Sequence, residues 1–259
     1  MNNADVNHQE LPILTYHSID DSRSVVSTSP RIFHAQMRYL KESGYNVISI
    51  GEIVAHFHEG RPLPAKTVAI GFDDGYKNVY MEAHPILQQY GFRATVFLIA
   101  DYCGKDSSWP GNSPSLAHRP LLSWREVKAM QKCGIEFGAH TLTHPDLTRL
   151  SPAQAEHEIA QSKDKITHHL GEEVSTFAYP YGLYNLEVKR IVQAHFRGAC
   201  STLLGKVNSN SDPYLLRRID MYYLSHPSLF KRLPTRSLTL YLQLRQALRT
   251  VRGLLSNGR

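Results

Sequence analysis

An apolar run that ends in two adjacent carboxylates is the feature that most constrains the fold. Residues 67–72 have the length and composition of a strand buried on both faces, and Asp73, Asp74 and Gly75 follow at once. A run of this kind is typical of a parallel strand. Adjacent side chains at a strand end point to opposite sides, so one carboxylate could bind a metal while the other handles a proton. A plain Asp-Gly turn after a strand would have the same sequence.

Two histidines four residues apart follow a second strand-like run, residues 134–139. His140 and His144 would meet on one face if the chain makes a helical turn there. Two imidazoles and one carboxylate form a metal site that leaves a position open for water. Any single histidine among the 14 in the chain is more often structural, but this motif together with the Asp-Asp pair predicts metal binding.

Strand and helix signals alternate along most of the chain. Apolar runs of strand length recur between residues 11 and 222, and segments with helical spacing separate them. Helices are predicted to start at serine N-caps such as Ser29, Ser123 and Ser151. Alternation indicates a parallel sheet, and seven or eight such units close most economically into an α/β barrel. The candidate chemical residues fall at predicted carboxyl ends of strands, where barrel enzymes place their active sites: His17, Asp73, Asp74, His140, His144 and Tyr181.

Composition is that of a globular protein. With 259 residues and 42% hydrophobic content, the chain fits one large α/β domain or two small ones. No apolar run approaches the roughly 18 residues of a spanning helix. Residues 1–10 lack the basic and apolar regions of a secretory signal, so a cytoplasmic location is expected. Cys103, Cys133 and Cys200 are widely spaced, which indicates reduced thiols.

Positive charge is concentrated at the C-terminal end. Residues 231–259 contain seven Lys or Arg and no Asp or Glu, so they account for +7 of the net charge of +6 and the preceding residues sum to −1. A near-neutral body without evident aromatic stacking platforms argues against nucleic acid as a partner. We predict a barrel over residues 1–228 and a basic amphipathic tail over residues 229–259.

The tail contains one apolar stripe with arginines on its flank. The stripe comprises Tyr241, Leu244, Leu248, Val251 and Leu255, and the arginines are Arg245, Arg249 and Arg252. Such a stripe either packs on its own domain or lies on an anionic membrane surface. Because no acid follows Asp220, peripheral association with the inner membrane surface is the working hypothesis.

Three motifs in a fixed order give the chain a family resemblance. They are Phe72-Asp73-Asp74-Gly75-Tyr76, His140-Thr141-Leu142-Thr143-His144 and Phe177-Ala178-Tyr179-Pro180-Tyr181-Gly182. Together they resemble the polysaccharide deacetylase superfamily (NodB homology, carbohydrate esterase family 4). The opening residues 14–19, Leu-Thr-Tyr-His-Ser-Ile, resemble the branch of poly-N-acetylglucosamine deacetylases that act on biofilm exopolysaccharide. The resemblance covers residues 11–224.

The resemblance implies a fold, a chemistry and a set of roles. The fold would be a distorted (β/α)7 TIM-like barrel, and the chemistry metal-dependent deacetylation of carbohydrates. Asp74, His140 and His144 would hold the metal, most simply Zn²⁺, although Co²⁺, Ni²⁺ and Fe²⁺ also suit this ligand set. Asp73 would be the general base and His17 the acid. Pro180 and Tyr181 would contact substrate, with the Tyr181 backbone N–H stabilising the oxyanion.

Two departures from the family pattern leave alternatives open. Ala178 stands where many members have an arginine that orients the base, and either Arg217 or Arg218 could replace that charge. His226 lies in a Leu-x-His pattern that supplies the acid in many members, although the motif around His17 matches better. The long segment 101–120 is predicted to be a binding loop or lid, in which Trp109 stacks on a sugar or packs on its own domain.

The favoured function is removal of N-acetyl groups from an acetylated amino-sugar glycan or glycan precursor. One alternative is a related hydrolase that acts on O-acetyl esters or a non-carbohydrate amide. Another is a non-catalytic carbohydrate-binding barrel, which would have lost a ligand or the base. All of those residues are present here.

Overall fold

The computed structural model describes residues 10–61 and 65–256, with side chains described as far as residue 251. The strands in this part are β1 Ile13–Tyr16, β2 Ser18–Ile19, β3 Ser27–Thr28, β4 Asn46–Ile48, β5 Thr67–Phe72, β6 Thr95–Leu98, β7 Glu136–Ala139, β8 Thr176–Ala178, β9 Gly198–Leu204 and β10 Leu216–Asp220. The α-helices are α1 Pro30–Glu42, α2 Ile50–Glu59, α3 His84–Tyr90, α4 Trp124–Gln131, α5 Pro152–Leu170, α6 Leu186–His195, α7 Pro227–Phe230 and α8 Arg236–Ser256.

Seven parallel strands close into a barrel. Their order is β5, β6, β7, β8, β9, β10 and β1, and β1 pairs back onto β5 with Ile13 opposite Ala69. The short strand β4 pairs with the first half of β5 on the opposite edge, since Ala69 also pairs with Ile48. Strands β2 and β3 form a separate two-stranded sheet. The predicted distorted (β/α)7 barrel is confirmed.

Side-chain alternation fills the lumen with apolar groups from the barrel strands. Its small core cluster includes Ile13, Ala69, Phe97, Ala178, Cys200 and Leu216. A Cβ on Gly138 would lie 2.5 Å from the Phe97 ring, so only glycine fits there. The first turns of α2 close the lumen with Ile50 and Ile53. A larger cluster lies between the barrel wall and the surrounding helices.

The predicted serine caps are confirmed at three helices. The side chains of Ser29, Ser123 and Ser151 each accept a backbone N–H from three residues ahead. Residues 77–90 are helical, but Val79–Ala83 form one π-helical turn before α3 begins. Pro85 has no N–H to bond to the carbonyl of Met81, which breaks the regular ladder at this point.

The C-terminal helix α8 packs on the barrel through one face. Leu238 and Leu242 are buried, and the Gln246 side chain accepts the backbone N–H of Leu204 at 2.9 Å. Arg249 donates to the carbonyl of Thr202 at 2.9 Å. The predicted boundary at residue 228 falls inside α7, and a separate tail unit over 229–259 stays a prediction.

Leu244, Leu248 and Val251 of the predicted stripe on α8 face away from the barrel, whereas Tyr241 is partly buried against the core. Leu244, Leu248 and Val251 are 62%, 47% and 54% exposed, and Leu240 beside them is 66% exposed. The side chains of Arg252 and Leu255, also assigned to this surface, lie outside the described residues. Among the helices in the described ranges, none combines the length and apolar character needed to cross a membrane.

Candidate metal centre and active site

The two carboxylates at the end of β5 point in different directions, as predicted. Asp73 continues the face of β5 that carries Ala69 and Gly71 into the lumen. Asp74 has a left-handed backbone with φ 69°, which aspartate tolerates better than most residues. This turn directs its carboxylate towards His140 and His144. Both carboxylates are buried.

Asp74, His140 and His144 form a compact triangle of possible metal ligands. The Oδ1 atom of Asp74 lies 3.5 Å from Nε2 of His140 and 3.6 Å from Nε2 of His144, and the two Nε2 atoms are 3.2 Å apart. Ligand atoms bonded to Zn²⁺ at about 2.0–2.1 Å in a tetrahedron are about 3.4 Å from one another. The observed spacings fit a tetrahedral divalent ion with one position left for another ligand.

The two histidines meet through an irregular loop, and the predicted helical turn is wrong. Thr141 and His144 adopt left-handed backbone angles, with φ 68° and 63°, so the loop coils tightly without helical hydrogen bonds. The Thr141 hydroxyl donates to the carbonyl of His140 and accepts the N–H of His144. This threonine therefore joins the two ends of the loop.

Hydrogen bonds to the triangle orient its donor atoms. The Nδ1 atom of His140 lies 2.7 Å from the carbonyl of Ala178, which as an acceptor requires a proton on Nδ1 and leaves the Nε2 lone pair free. Tyr76, itself buried, lies close to Asp74, whose charge helps to raise the pKa of the tyrosine after the larger effect of burial. The Nδ1 atom of His144 is buried without a hydrogen-bond partner among the described residues.

Electrostatic interactions keep the Asp74 carboxylate charged and shift the pKa values of His140 and His144 in opposite directions. Burial opposes ionisation of Asp74, but His140 and His144 outweigh it and hold the pKa of that carboxyl well below its usual value. Burial and the neighbouring His140 lower the pKa of His144 to about 3. Burial also acts against a charged His140, yet the carboxylates of Asp74 and Asp73 raise its pKa. At neutral pH a negative oxygen and a neutral imidazole thus point at the centre of the triangle, which favours a cation there.

Arg218, and not Arg217, supplies the positive charge beside Asp73 that the arginine of the family motif would otherwise provide. Its guanidinium donates two hydrogen bonds to the carboxylate of Asp73, both of 2.7 Å, and a third of 2.9 Å to the carbonyl of Ser201. Burial acts against ionisation of Asp73, but this cation and His17 lower its pKa. Arg217 points outward and is exposed. The alternation of β10, in which Arg218 shares a face with the lumen residue Leu216, is the sequence signal for this contact.

His17 and His226 occupy different environments. His17 follows β1, and its Nε2 lies 3.9 Å from Oδ2 of Asp73, with the side chain 22% exposed. His226 is exposed, and its Nδ1 accepts the backbone N–H of Ser228 at the start of α7. The structure therefore brings His17 to Asp73 and gives His226 a helix-capping contact.

The motif after β8 borders the metal triangle. Pro180 is buried, whereas Tyr181 is 47% exposed, and its ring lies 4.5 Å from the ring of His144. Tyr181 has a left-handed backbone with φ 58°. Trp109, from the long loop, is buried between Tyr102 and His144, so it packs on its own domain.

Sequence comparisons agree with this arrangement. A family model described as polysaccharide deacetylase matches residues 60–197. The YxkH protein of Bacillus subtilis is 31% identical over 211 residues, which cover 81% of this chain and 71% of that protein. A poly-beta-1,6-N-acetyl-D-glucosamine N-deacetylase of Staphylococcus aureus is 28% identical over 74% of this chain and 67% of its own length.

Two solved structures with similar folds illustrate the structural likeness. Streptococcus pyogenes deacetylase PplD in complex with acetate is 28% identical, with a TM-score of 0.72 over 82% of this chain and 92% of that one. IcaB from Ammonifex degensii is 25% identical, with a TM-score of 0.73 over 89% of this chain and 97% of that one. The segment that the family model matches, residues 60–197, contains Asp73, Asp74, His140 and His144. The chain belongs to the polysaccharide deacetylase family of hydrolases.

Proposed function

We propose that the protein is a metal-dependent deacetylase that removes N-acetyl groups from an amino-sugar glycan or its precursor. The observation that supports this most strongly is that two adjacent carboxylates, Asp73 and Asp74, have different partners. Asp74 completes a ligand triangle with two imidazoles, whereas Asp73 is paired with Arg218 and lies beside His17. Amide hydrolysis needs these two functions side by side, because water must be activated and the departing amine must be protonated.

Asp74, His140 and His144 would hold the metal. A bound divalent ion lowers the pKa of water and polarises an acyl oxygen. The donor set of one carboxylate and two imidazoles suits Zn²⁺ and is compatible with Co²⁺, Ni²⁺ or Fe²⁺. Metal identity therefore stays part of the proposal.

The proton transfers are assigned to Asp73 and His17. Asp73 is ionised across the neutral range, so it accepts a proton from the attacking water as the carbon–oxygen bond forms. His17, in its protonated form, gives its proton to the sugar nitrogen as the carbon–nitrogen bond breaks. Arg218 holds both oxygens of Asp73 in place. The Oδ2 atom of Asp73 also faces Nε2 of His17 at 3.9 Å. Acetate and a free amine are the products.

The segment after β8 is the proposed binding element for the acyl group. Tyr181 lies beside the ligand histidine His144, and Pro180 holds the segment at the end of the strand. The Tyr181 backbone N–H would donate to the oxygen that becomes negative as water adds, a contact that gains strength in the transition state. The half-exposed Tyr181 ring offers a face to a sugar.

Acetate release from matched substrates tests this function. Protein loaded with Zn²⁺ would be incubated with oligomers of N-acetylglucosamine and with O-acetylated sugars, and Asp73→Asn is the control. We expect acetate from the N-acetyl substrates with the wild type alone. Release from the esters only would establish the O-deacetylase alternative, and glycan binding without any release would establish a binding barrel.

We also propose that the outward face of α8 binds an anionic membrane surface. Its apolar residues Leu240, Leu244, Leu248 and Val251 are about half exposed or more. No Asp or Glu follows Asp220, so every charged side chain of the helix itself is basic. A helix with an apolar stripe and basic flanks suits the interface of an anionic bilayer, with each basic residue near the surface adding about 1 kcal/mol. A cytoplasmic location at the inner membrane remains part of this proposal, and cell fractionation tests it.

Charge substitutions on the exposed stripe test the membrane proposal better than a truncation, because Leu238 and Leu242 are buried against the barrel. We expect Leu244→Glu combined with Leu248→Glu to abolish co-sedimentation with anionic vesicles, whereas the exposed Gln243→Glu reduces it only slightly. Vesicles without net charge should retain little protein. Equal pelleting of the double variant and the wild type would exclude the stripe, and conversion of a dimer to a monomer would indicate self-association instead.

A further inference from the structure

Helix α5 presents one carboxylate to the loop that carries the histidine ligands. Oε2 of Glu158 accepts the backbone N–H groups of Leu142 and Thr143 at 2.9 and 3.0 Å. Oε1 accepts the Thr143 hydroxyl at 2.7 Å. All three donors lie between His140 and His144, so both oxygens of this carboxylate are engaged by the ligand loop.

The loop needs such support because its backbone is strained. Thr141 and His144 both have positive φ angles, a region that residues with a Cβ rarely adopt, and a β-branched threonine least of all. Without helical hydrogen bonds, the N–H groups of Leu142 and Thr143 have no acceptor within the loop itself among the described contacts. A strained segment persists only when its surroundings hold it from several directions.

Two sets of contacts hold the loop from opposite sides. The carbonyls of Thr141 and Leu142 accept the N–H groups of Ala100 and Asp101, which follow β6, both at 3.0 Å. The amides of the loop are bound by Glu158 on α5. The contacts to the loop carbonyls come from main-chain N–H groups, so they do not depend on the side chains of residues 100 and 101. The contacts to the N–H groups of Leu142 and Thr143 depend on one side chain, that of Glu158.

We propose that Glu158 is a positioning residue for the metal centre. By binding the loop amides, it fixes the separation of the two ligand atoms, Nε2 of His140 and Nε2 of His144, at the 3.2 Å that suits one ion. The inference rests on the proposed metal site and adds a residue outside the ligand triangle to it. Partners beyond the direct ligands typically change metal affinity or activity by about 10–100-fold when they are removed.

The test compares two isosteric substitutions on the same helix. Glu158→Gln keeps the size of the side chain but faces the loop donors with an amide that can accept from one atom only. Glu156→Gln is the matched control, because Glu156 is exposed two residues earlier and pairs with His195 instead. Affinity for Zn²⁺ and Co²⁺ is measured by competition with a chromophoric chelator, and the visible spectrum of the Co²⁺ form reports ligand geometry.

We expect Glu158→Gln to weaken metal affinity by about 10–100-fold and to alter the Co²⁺ spectrum, with Glu156→Gln unchanged. Thr143→Val, which removes only the hydroxyl contact, should weaken affinity less, and Thr143→Ser should restore it. These two variants keep the test decisive if Glu158→Gln does not fold.

Wild-type affinity and spectrum in folded Glu158→Gln would overturn the positioning role, even if its thermal stability falls. Wild-type affinity in Thr143→Val would count against it in the same way. A wild-type protein that binds neither metal would remove the proposed metal centre itself, and the role of Glu158 with it. Metal binding without deacetylation would overturn the proposed reaction and leave the role of Glu158 in place.

Discussion

The guanidinium of Arg218 and the carboxylate of Asp73 form a bidentate pair across the barrel lumen, with both hydrogen bonds at 2.7 Å. Both side chains are almost fully buried. A buried bidentate pair fixes the plane of the carboxylate and the direction of its remaining lone pairs. The proposed base is therefore held in one orientation by a residue 145 positions away in the sequence.

Replacing Arg218 by lysine should impair the reaction without removing the positive charge. Lysine cannot make the two parallel hydrogen bonds, and a small misplacement of the base costs about 10²-fold in rate. Because Arg218 lowers the pKa of Asp73, weaker pairing raises that pKa. The acidic limb of the kcat/KM profile should therefore move to higher pH, and a pH–rate series measures the shift.

Arg217→Lys is the control for this substitution, since Arg217 is exposed on the same strand. An unshifted acidic limb in Arg218→Lys would show that Asp73 does not titrate in the reaction.

The barrel and the clustering of Asp74, His140 and His144 could be predicted because their signals are local. β5 is a continuous apolar run, three helices start at the predicted serine caps, and Asp74, His140 and His144 follow strands at short distances. The shape of the ligand loop could not be predicted. The loop is held by contacts from Glu158 on α5 and from the chain after β6, and no local sequence pattern encodes these contacts.

The choice between Arg217 and Arg218 required knowing which face of β10 lines the lumen. Alternation places Leu216 and Arg218 on one face of the strand, but the sequence alone does not show that this face points inward. Helix α8 presents a similar limit. Leucines stand at positions 238, 240, 242 and 244, and only packing shows that Leu238 and Leu242 face the barrel.

Removing one ligand should abolish both metal binding and activity. Asp74→Asn replaces the only anionic ligand of the triangle by a neutral amide, whereas His140→Ala and His144→Ala each remove an imidazole. We expect metal content, measured by elemental analysis after dialysis, to fall below one tenth of the wild-type value. Chelator-treated wild type should be inactive and should recover on addition of Zn²⁺. Full activity after complete chelation would refute metal dependence.

Asp73→Asn should retain metal and lose activity. The asparagine side chain cannot take the proton of the attacking water, and loss of a general base typically lowers the rate by about 10²–10⁴-fold. The substitution also leaves Arg218 without its anion, and breaking a buried pair costs about 3–5 kcal/mol of stability. Metal content, circular dichroism and acetate release should be measured on the same preparation. Activity close to wild type in the folded, metal-loaded variant would mean that another group is the base.

His17→Ala should slow the hydrolysis of amides far more than that of activated esters. The amine of an N-acetyl sugar needs a proton to leave, whereas 4-nitrophenolate leaves without one. We therefore expect acetate release from N-acetylglucosamine oligomers to fall by about 10²-fold or more, with 4-nitrophenyl acetate hydrolysis affected much less. His226→Ala is the control and should match the wild type. An equal loss on both substrates would assign His17 a role other than proton donation.

Glu136 should limit stability at neutral pH. Its carboxylate, on a partly buried side chain, accepts hydrogen bonds from Ser49, Gly51 and Thr95 at the start of β7. Burial raises its pKa, although these three donors oppose the shift. A carboxyl with a higher pKa in the folded state binds more protons there, so stability falls as pH rises from the ordinary value of 4.5 to the raised one. Below that window both states are protonated and the penalty is absent.

Glu136→Gln removes the charge and keeps the shape. Relative to wild type, its free energy of unfolding should therefore increase by on the order of 1 kcal/mol between about pH 4 and about pH 8, measured by urea denaturation. Glu136→Ala should instead lose about 3 kcal/mol at both values, because it removes the acceptor of one backbone N–H and of three hydroxyls, those of Ser49, Thr95 and Thr176. Glu187→Gln, exposed on α6, is the control. If the Gln variant and the wild type have parallel pH profiles, the ionised form of Glu136 is stabilised by its donors as well in the fold as by water.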